Sequence, residues 1–191
     1  RVNYYRLSAY GIGLKRRDDP EKYVDGISLS HLYHLYEFDS HLRSALLHLL
    51  EQVEIELRTQ IAYRLGLTYG SEGYMDPECF THRLNRDGSE IHQVIISKFR
   101  DEVRRQANQP CVKHHQKNYD GHFPVWVAVE LFSFGMLSSL YSIMKSEDQK
   151  CVAGFYNIDS HRRGKWMQSL VDVRNRCAHY RRIYNMPLSL T

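Results

Sequence analysis

An apolar repeat between Ser28 and Leu65 constrains the fold of this 191-residue chain more than any other feature. Its apolar side chains follow one another at steps of three or four residues, which is the spacing of one helix face. They are Leu42, Leu46, Leu49, Val53, Leu57 and Ile61. The repeat predicts one long helix that stops at Gly66. If the helix breaks, we expect the break near Asp39 or Ser40.

The other periodic segments have the same helical spacing. We expect a second helix from Ser89, as N-cap, to about Ala107, and a third long helix from Phe123 to Met144. A last helix is expected from Ser160 to Tyr180, and a short one within residues 145–157. The inward positions of the last helix would be Trp166, Leu170, Val173 and Cys177. No segment alternates as a strand does, so the fold class is all-α, a bundle with one long connecting loop over residues 67–88.

The length favours one domain over residues 1–191, since it suffices for one sizeable core. Residues 1–27 would form an N-terminal arm or cap, and residues 160–185 would be the last helix and its end. The four cysteines stand far apart with no CxxC pair, which indicates free thiols in a reducing, cytoplasmic compartment. The stretch from Phe123 to Met144 is long enough for a membrane span, but Glu130 lies near its middle, so we expect a buried helix and no membrane contact.

Positive charge is concentrated near the C-terminus. The chain has a net charge of +4, and seven Lys or Arg residues but one acid, Asp172, lie between Ser160 and Tyr184. A cationic patch of this kind attracts polyanions, which makes nucleic acid a candidate partner. A solvated basic helix face explains the charge equally well.

Arg174, Asn175 and His179 lie within two turns at the end of the last helix. An arginine fork can hold a phosphate oxygen and stabilise charge in the transition state. An imidazole can move protons at neutral pH, and an asparagine can orient it or bind the substrate. Such a set could cleave RNA without a metal, through attack by the 2′-OH. Alone, however, the pair is explained as well by an arginine reaching a helix carboxylate and a histidine favoured by the helix dipole.

The stretch RNRCAHYRRIYN, from Arg174 to Asn185, resembles the R-N-x-x-x-H signature of HEPN-type ribonuclease domains. Three further stretches, in the same order along the chain, resemble the Abi-type abortive-infection proteins of bacteria. They are VNYYRLSAYG, LYEFDSHLRSALLHLLEQVEIELRT and FPVWVAVELFSFGMLSSLY.

This resemblance implies a HEPN-like helical bundle and a ribonuclease toxin that acts in phage defence. It assigns the catalytic pair to Arg174 and His179, with Asn175 as the polar residue beside them. The site would form where two motifs face each other, so we expect a homodimer, and an RNA or protein antitoxin is a possible partner. In HEPN toxins silenced by nucleotide modification, a tyrosine stands two residues after the histidine. Arg181 holds that position here, which argues against this mode of control.

Other side chains of the C-terminal segment are candidates for RNA binding. They are Arg162, Arg163, Arg176, Tyr180, Arg181, Arg182 and Tyr184. The arginines would contact phosphates, and the two tyrosines would stack on unpaired bases. The same tyrosines would equally suit the edge of a helical core.

Three charged residues elsewhere are candidates for supporting the site. Glu54 and Arg58 are four residues apart, which suits an exposed ion pair. The resemblance makes a buried pair that orients Arg174 or His179 about as plausible. Glu130, on an apolar helix, would need a partner if buried and could hold an arginine of the last helix.

We expect no metal and no cofactor. Cys111, His114, His115 and His122 fit no closed tetrahedral set of zinc ligands. The favoured interpretation is therefore a metal-independent endoribonuclease. The alternatives are a non-catalytic HEPN-like module that only binds RNA, and a purely structural dimerisation bundle.

Overall fold

The computed structural model describes residues 2–158 and 165–187, and these fold into eight α-helices with no strand among them. The predicted all-α class is confirmed. The helices are α1 (Tyr4–Ser8), α2 (Leu29–Tyr69), α3 (Ile91–Arg105), α4 (Pro110–Asn118), α5 (Val125–Leu131), α6 (Phe134–Ile143), α7 (Ser146–Gly154) and α8 (Trp166–Ala178). Short 3₁₀ segments cover Ala9–Leu14, Gly73–Met75 and Pro77–Cys79.

Helix α2 is a continuous helix of 41 residues. At its start, Ser28 Oγ accepts from the His31 backbone N–H, and the Ser28 N–H donates to the His31 ring, which is the reciprocal pattern of a capping box. The predicted stop at Gly66 is wrong, since α2 continues to Tyr69. The helix ends where Gly70 adopts a φ of +79°, a conformation that glycine enters without steric cost.

The predicted inward face of α2 is only partly correct. Leu57 and Ile61 are fully buried, whereas Leu49 is 57% exposed and its neighbour Leu50 is buried. Further back, the buried positions include two charged residues, Asp39 and Arg43. The helix runs through Asp39 without a break, and these two side chains form an ion pair one turn apart.

The predicted third long helix is divided into α5 and α6. Phe132 leaves the helical conformation, with ψ at 138°, and Ser133 caps the new helix by accepting from the Met136 N–H at 3.2 Å. A serine hydroxyl competes with the backbone in this way and can stop one helix and start another. Both helices are largely buried, as expected. No helix in the described ranges is long and apolar enough to cross a membrane.

The ends of the second and last helices also differ from the prediction. Ser89 is not the N-cap of α3, because its hydroxyl donates to Asp87 at 2.6 Å and the helix begins after Glu90. Helix α8 ends at Ala178, and its fully buried positions are Met167, Val171 and Cys177. The predicted inward residues Trp166, Leu170 and Val173 are half-buried. The predicted start at Ser160 lies outside the described residues. The short helix expected within residues 145–157 is α7.

The described residues group into two compact units. Unit 1 consists of residues 2–49 and 173–187, and unit 2 of residues 50–158 and 165–172. Unit 2 has a large apolar core to which α2, α3, α5, α6 and α8 contribute. The expectation of a single domain over residues 1–191 stays a prediction.

Asp148 provides the buried polar anchor of unit 2. Its carboxylate accepts from Arg64 Nε at 2.6 Å and from the Tyr69 hydroxyl at 2.7 Å. A buried carboxylate needs such donors, because an unpaired charge in the interior is costly. These two bonds hold α7 against the last turns of α2.

Candidate functional site

Helix α8 ends in a hydrogen-bonded turn that places His179 at its C-cap. The Tyr180 N–H donates to the Cys177 carbonyl at 3.1 Å, and the Arg181 N–H donates to the Arg176 carbonyl at 2.9 Å. This pair of bonds is the Schellman motif. Tyr180 takes the left-handed position with a φ of +56°, where glycine is usual. Bulky side chains are rarely found in that conformation, and residues held in such uncommon conformations cluster at functional sites.

The three motif residues occupy the last turn and the cap of α8. Arg174 Nη1 donates to Asn175 Oδ1 at 3.1 Å, so these two side chains are in contact. The His179 N–H donates to the Asn175 carbonyl at 3.0 Å. The His179 side chain is exposed, and its imidazole makes no hydrogen bond or ion pair with any residue that the structure describes. The imidazole is therefore open to an incoming ligand.

The chain beyond the cap is held by Asp39 of α2. This carboxylate is fully buried and accepts from the Ile183 N–H at 3.1 Å and from the Tyr184 N–H at 2.7 Å. Both bonds are charge-assisted, a class about twice as strong as neutral hydrogen bonds. Asp39 therefore fixes the path of the chain four and five residues after His179.

Two further donors complete the surroundings of Asp39. The Tyr10 hydroxyl donates to it at 2.5 Å, and the buried guanidinium of Arg43 forms an ion pair with it. Burial, followed by the hydrogen bond to Asp39, raises the pKa of Tyr10, so this hydroxyl keeps its proton and remains a donor. The buried charges of Asp39 and Arg43 thus compensate each other.

Two of the arginines predicted to bind RNA make contacts inside unit 1. The guanidinium of Arg182 donates to the Ala9 carbonyl and lies 5.6 Å from the centre of the Tyr10 ring. Arg176 Nη1 donates to the Pro187 carbonyl at 3.1 Å. Both side chains therefore help to hold the N-terminal segment or the end of the chain in place.

The other side chains predicted to bind RNA differ in their exposure. Tyr180 is 68% exposed. Arg181 is exposed too, and its guanidinium has no partner within the described ranges. Tyr184 packs edge-on against Phe38 at 5.9 Å between ring centres. Arg162 and Arg163 lie outside the described residues.

The three predicted supporting residues all lie in unit 2. Arg58 donates to Glu54 at 2.5 Å and also to the Val129 carbonyl, and both partners of this ion pair are close to nine-tenths buried. The pair is therefore buried rather than exposed, and it joins α2 to α5. Glu130 is exposed. It therefore does not need the arginine partner that is expected for a buried glutamate.

The cysteine and histidines considered as metal ligands each have other contacts. His114 and His115 bond to Asn118 and to the Cys111 carbonyl, and His122 pairs with Glu72. In the described part of the chain, no group of three or more His, Cys, Asp or Glu side chains is arranged to hold a metal ion.

Sequence reasoning missed the residues that hold the site, namely Tyr10, Asp39 and Arg43. A signal was present, because Asp39 and Arg43 are four residues apart on the side of α2 that carries its apolar residues. Two opposite charges on an apolar face indicate a buried ion pair. Neither residue could be joined to the C-terminal segment, which is over 140 residues away.

A family model described as Abi-like protein matches residues 1–185 of the chain. No curated protein and no solved structure matches it.

Proposed function

Since the chain belongs to the family of Abi-like proteins, we propose that it is an abortive-infection toxin that cleaves RNA as a metal-independent HEPN-type endoribonuclease. The observation that carries this proposal is the exposed imidazole of His179 at the C-cap of α8, beside the contact between Arg174 and Asn175. This imidazole has no partner among the residues that the structure describes. A module that only binds RNA has no need of a proton-transfer group at this position.

Cleavage would begin with attack of a ribose 2′-OH on the adjacent phosphorus. The bond from phosphorus to the 5′-oxygen breaks, which leaves a 2′,3′-cyclic phosphate and a 5′-OH. One group must take the proton of the 2′-OH, and another must give a proton to the leaving oxygen. His179 is the candidate for proton transfer, because an imidazole can act as acid or base near neutral pH.

Arg174 would stabilise the charge that builds on the non-bridging phosphate oxygens. Asn175 Oδ1 accepts from one guanidinium nitrogen of Arg174, which limits how this side chain can turn. The guanidinium fork of Arg174 is the proposed phosphate ligand, and the amide nitrogen of Asn175 can donate to the substrate. Asn175 is thus proposed to position Arg174.

A complete site would need two copies of the chain. Each chain offers one Arg174–His179 set, whereas in-line cleavage needs separate groups for the attacking and leaving oxygens. A two-fold axis next to the end of α8 would bring two such sets together. The homodimer predicted from the sequence is therefore part of this proposal.

RNA would be held near the cap of α8 by Tyr180 and Arg181. An exposed tyrosine ring can stack on an unpaired base, and an exposed arginine can neutralise a phosphate. Arg182 and Arg176 are less suited to this task, because both already donate to main-chain carbonyls.

The deciding experiment compares His179→Ala with wild type and with His48→Ala, in which an exposed histidine of unit 1 is removed. Labelled RNA is incubated with each protein in EDTA, and its products are examined for 2′,3′-cyclic phosphate. We expect wild type and His48→Ala to cleave. His179→Ala should lose at least about 100-fold in rate, the lower range for one acid or base, and keep its RNA affinity.

The proposal fails if His179→Ala cleaves as fast as wild type, or if wild type binds RNA and cuts none. The second result would make the protein an RNA-binding module. Cleavage that requires added magnesium or manganese would also contradict the proposed mechanism. Expression in a bacterial host supplies an independent check, because wild type should slow growth and His179→Ala should not.

A further inference from the structure

Unit 2 contains a cleft of about 430 Å³ between α3, the short segment after α2 that includes Tyr74, and the turn after α4 that includes Asp120. Its floor is apolar and aromatic. Tyr74, Phe99 and Phe123 are buried there. The centre of the Phe99 ring lies 5.8 Å from that of Tyr74 and 5.8 Å from that of Phe123. The Tyr74 hydroxyl donates to the Phe123 carbonyl at 2.8 Å, so the phenol's polar end is already satisfied. The cleft has the volume and the preformed floor of a small-molecule site.

Two of the charged side chains that line the cleft are unpaired. Arg100 and Asp120 have no hydrogen-bond or ion-pair partner among the residues that the structure describes. The other two charged lining residues have partners. Arg104 forms an ion pair with Asp101 on α3, and Glu72 is hydrogen-bonded to His122 at 2.9 Å. Counted over the described residues, the cleft therefore presents one cation and one anion without a partner, above an apolar floor.

Asp120 is held in place by its own turn. Its φ is +50°, and that of Gly121 is +78°, so both residues adopt the left-handed conformation. The turn is closed by the Gly121 N–H, which donates to the His115 carbonyl at 3.1 Å, and by the His122 N–H, which donates to the Tyr119 carbonyl at 2.8 Å. The backbone that carries the Asp120 carboxylate is thus fixed by hydrogen bonds on the side of α4.

We propose that this cleft binds a small zwitterion with an apolar body, an α-amino acid with an aromatic or branched side chain. Its carboxylate would pair with Arg100, its ammonium group with Asp120, and its side chain would lie on the aromatic floor. A nucleotide fits less well, because it brings no cation to Asp120 and its phosphate would meet the carboxylates of Asp120 and Glu72. This inference does not rest on the proposed ribonuclease function.

Calorimetric titration of the full chain with three probes tests each part of the ligand. L-phenylalanine carries both charges, L-phenylalaninamide lacks the carboxylate, and 3-phenylpropanoate lacks the ammonium group. We expect saturable binding of L-phenylalanine, and binding at least about tenfold weaker for each of the other two, since each loses a charge-assisted hydrogen bond.

Variants connect these losses to the two side chains. Arg100→Gln should weaken the binding of L-phenylalanine at least tenfold. It should leave the affinity for L-phenylalaninamide unchanged, because this probe has no carboxylate to pair with Arg100. Asp120→Asn should weaken the binding of L-phenylalanine and leave the affinity for 3-phenylpropanoate unchanged. Asparagine is chosen because it tolerates the left-handed backbone at this position. Arg105→Gln is the control, since Arg105 pairs with Glu102 and does not line the cleft.

The proposal is overturned if L-phenylalanine and L-leucine both fail to bind at 10 mM, a concentration chosen on the order of ten times a weak ~1 mM Kd. It is also overturned if 3-phenylpropanoate binds as tightly as L-phenylalanine, which would indicate a site for apolar anions. Equal affinities of Arg100→Gln and Arg105→Gln, with equal melting temperatures, would exclude Arg100 as the carboxylate partner.

Discussion

The buried carboxylate of Asp39 accepts from four hydrogen-bond donors. Its two oxygens accept from Tyr10, from Arg43 and from the backbone N–H groups of Ile183 and Tyr184. All four donors belong to unit 1, and they come from three separate segments of the chain. One buried carboxylate thus joins the N-terminal arm, α2 and the C-terminal segment.

Asp39→Ala should lower the free energy of unfolding by about 3 kcal/mol or more, because it leaves the guanidinium of Arg43 buried without a counter-charge. RNA cleavage should fall as well, since the chain after His179 loses its anchor. Urea denaturation measures the first effect. The matched control is Asp25→Ala, which removes a carboxylate that is 96% exposed and should change stability by less than about 0.5 kcal/mol. Equal stability of the two variants would show that Asp39 is not an anchor.

The neighbouring arginines 181 and 182 should differ in what they contribute. Arg181→Gln should weaken RNA binding and lower the slope of log affinity against log salt by about 1, as expected for one lost phosphate contact. Its stability should be unchanged, because its side chain is exposed. Arg182→Gln should instead destabilise the protein, since it removes the contact with the Ala9 carbonyl. Fluorescence anisotropy in the His179→Ala background measures binding without cleavage.

This prediction has a clear contrary result. If Arg182→Gln keeps its melting temperature and changes the salt slope while Arg181→Gln does neither, Arg182 is the residue that contacts RNA.

The last turns of α2 are held by contacts with another element, α7. Tyr69 is its final residue, and its hydroxyl donates to Asp148 of α7. Burial, and then this hydrogen bond to a carboxylate, raise the pKa of Tyr69 to about 12. The folded protein therefore holds the phenolic proton more tightly than the unfolded chain does, where the ordinary tyrosine value is 10.0.

The contribution of Tyr69 to stability should depend on pH in a specific window. It is fully present below about pH 10, the unfolded value, and is lost as pH rises through about 12. Tyr69→Phe should lower the free energy of unfolding by about 1 kcal/mol at pH 8. The gap between wild type and Tyr69→Phe should narrow between pH 10 and 12.

Denaturation at a series of pH values measures this gap. Tyr63→Phe is the control, because Tyr63 is 64% exposed and its removal should have no effect at any pH. A constant difference between wild type and Tyr69→Phe across the window would show that Tyr69 does not carry the effect.

For the whole molecule, the main consequence of the proposed function is that activity requires two chains. Specific RNase activity should fall several-fold on dilution below the dimer dissociation constant, because each site would need both copies. Sedimentation over the same concentrations measures the oligomeric state. An excess of His179→Ala chains mixed with wild type should lower the activity of the wild-type chains, since a mixed dimer keeps only one of the two His179 imidazoles. A monomer with constant specific activity would contradict this expectation.

The sequence alone determined the class of the fold and the place of the motif. Apolar residues at steps of three and four are a local property of the chain, so α2, α3 and α8 follow from them. The motif residues are likewise local, since Arg174 and Asn175 lie near the end of α8 and His179 is its C-cap.

Only the tertiary structure decided what surrounds those residues. Asp39 meets Ile183 across 144 positions of sequence, and Arg182 meets Ala9 across 173. Such contacts depend on how the segments pack and leave no periodic signal in the chain. The tertiary structure also decided where two helices end, at the break before Ser133 and at Gly70 rather than Gly66. Several nearby residues could end a helix on local grounds, and packing selects one of them.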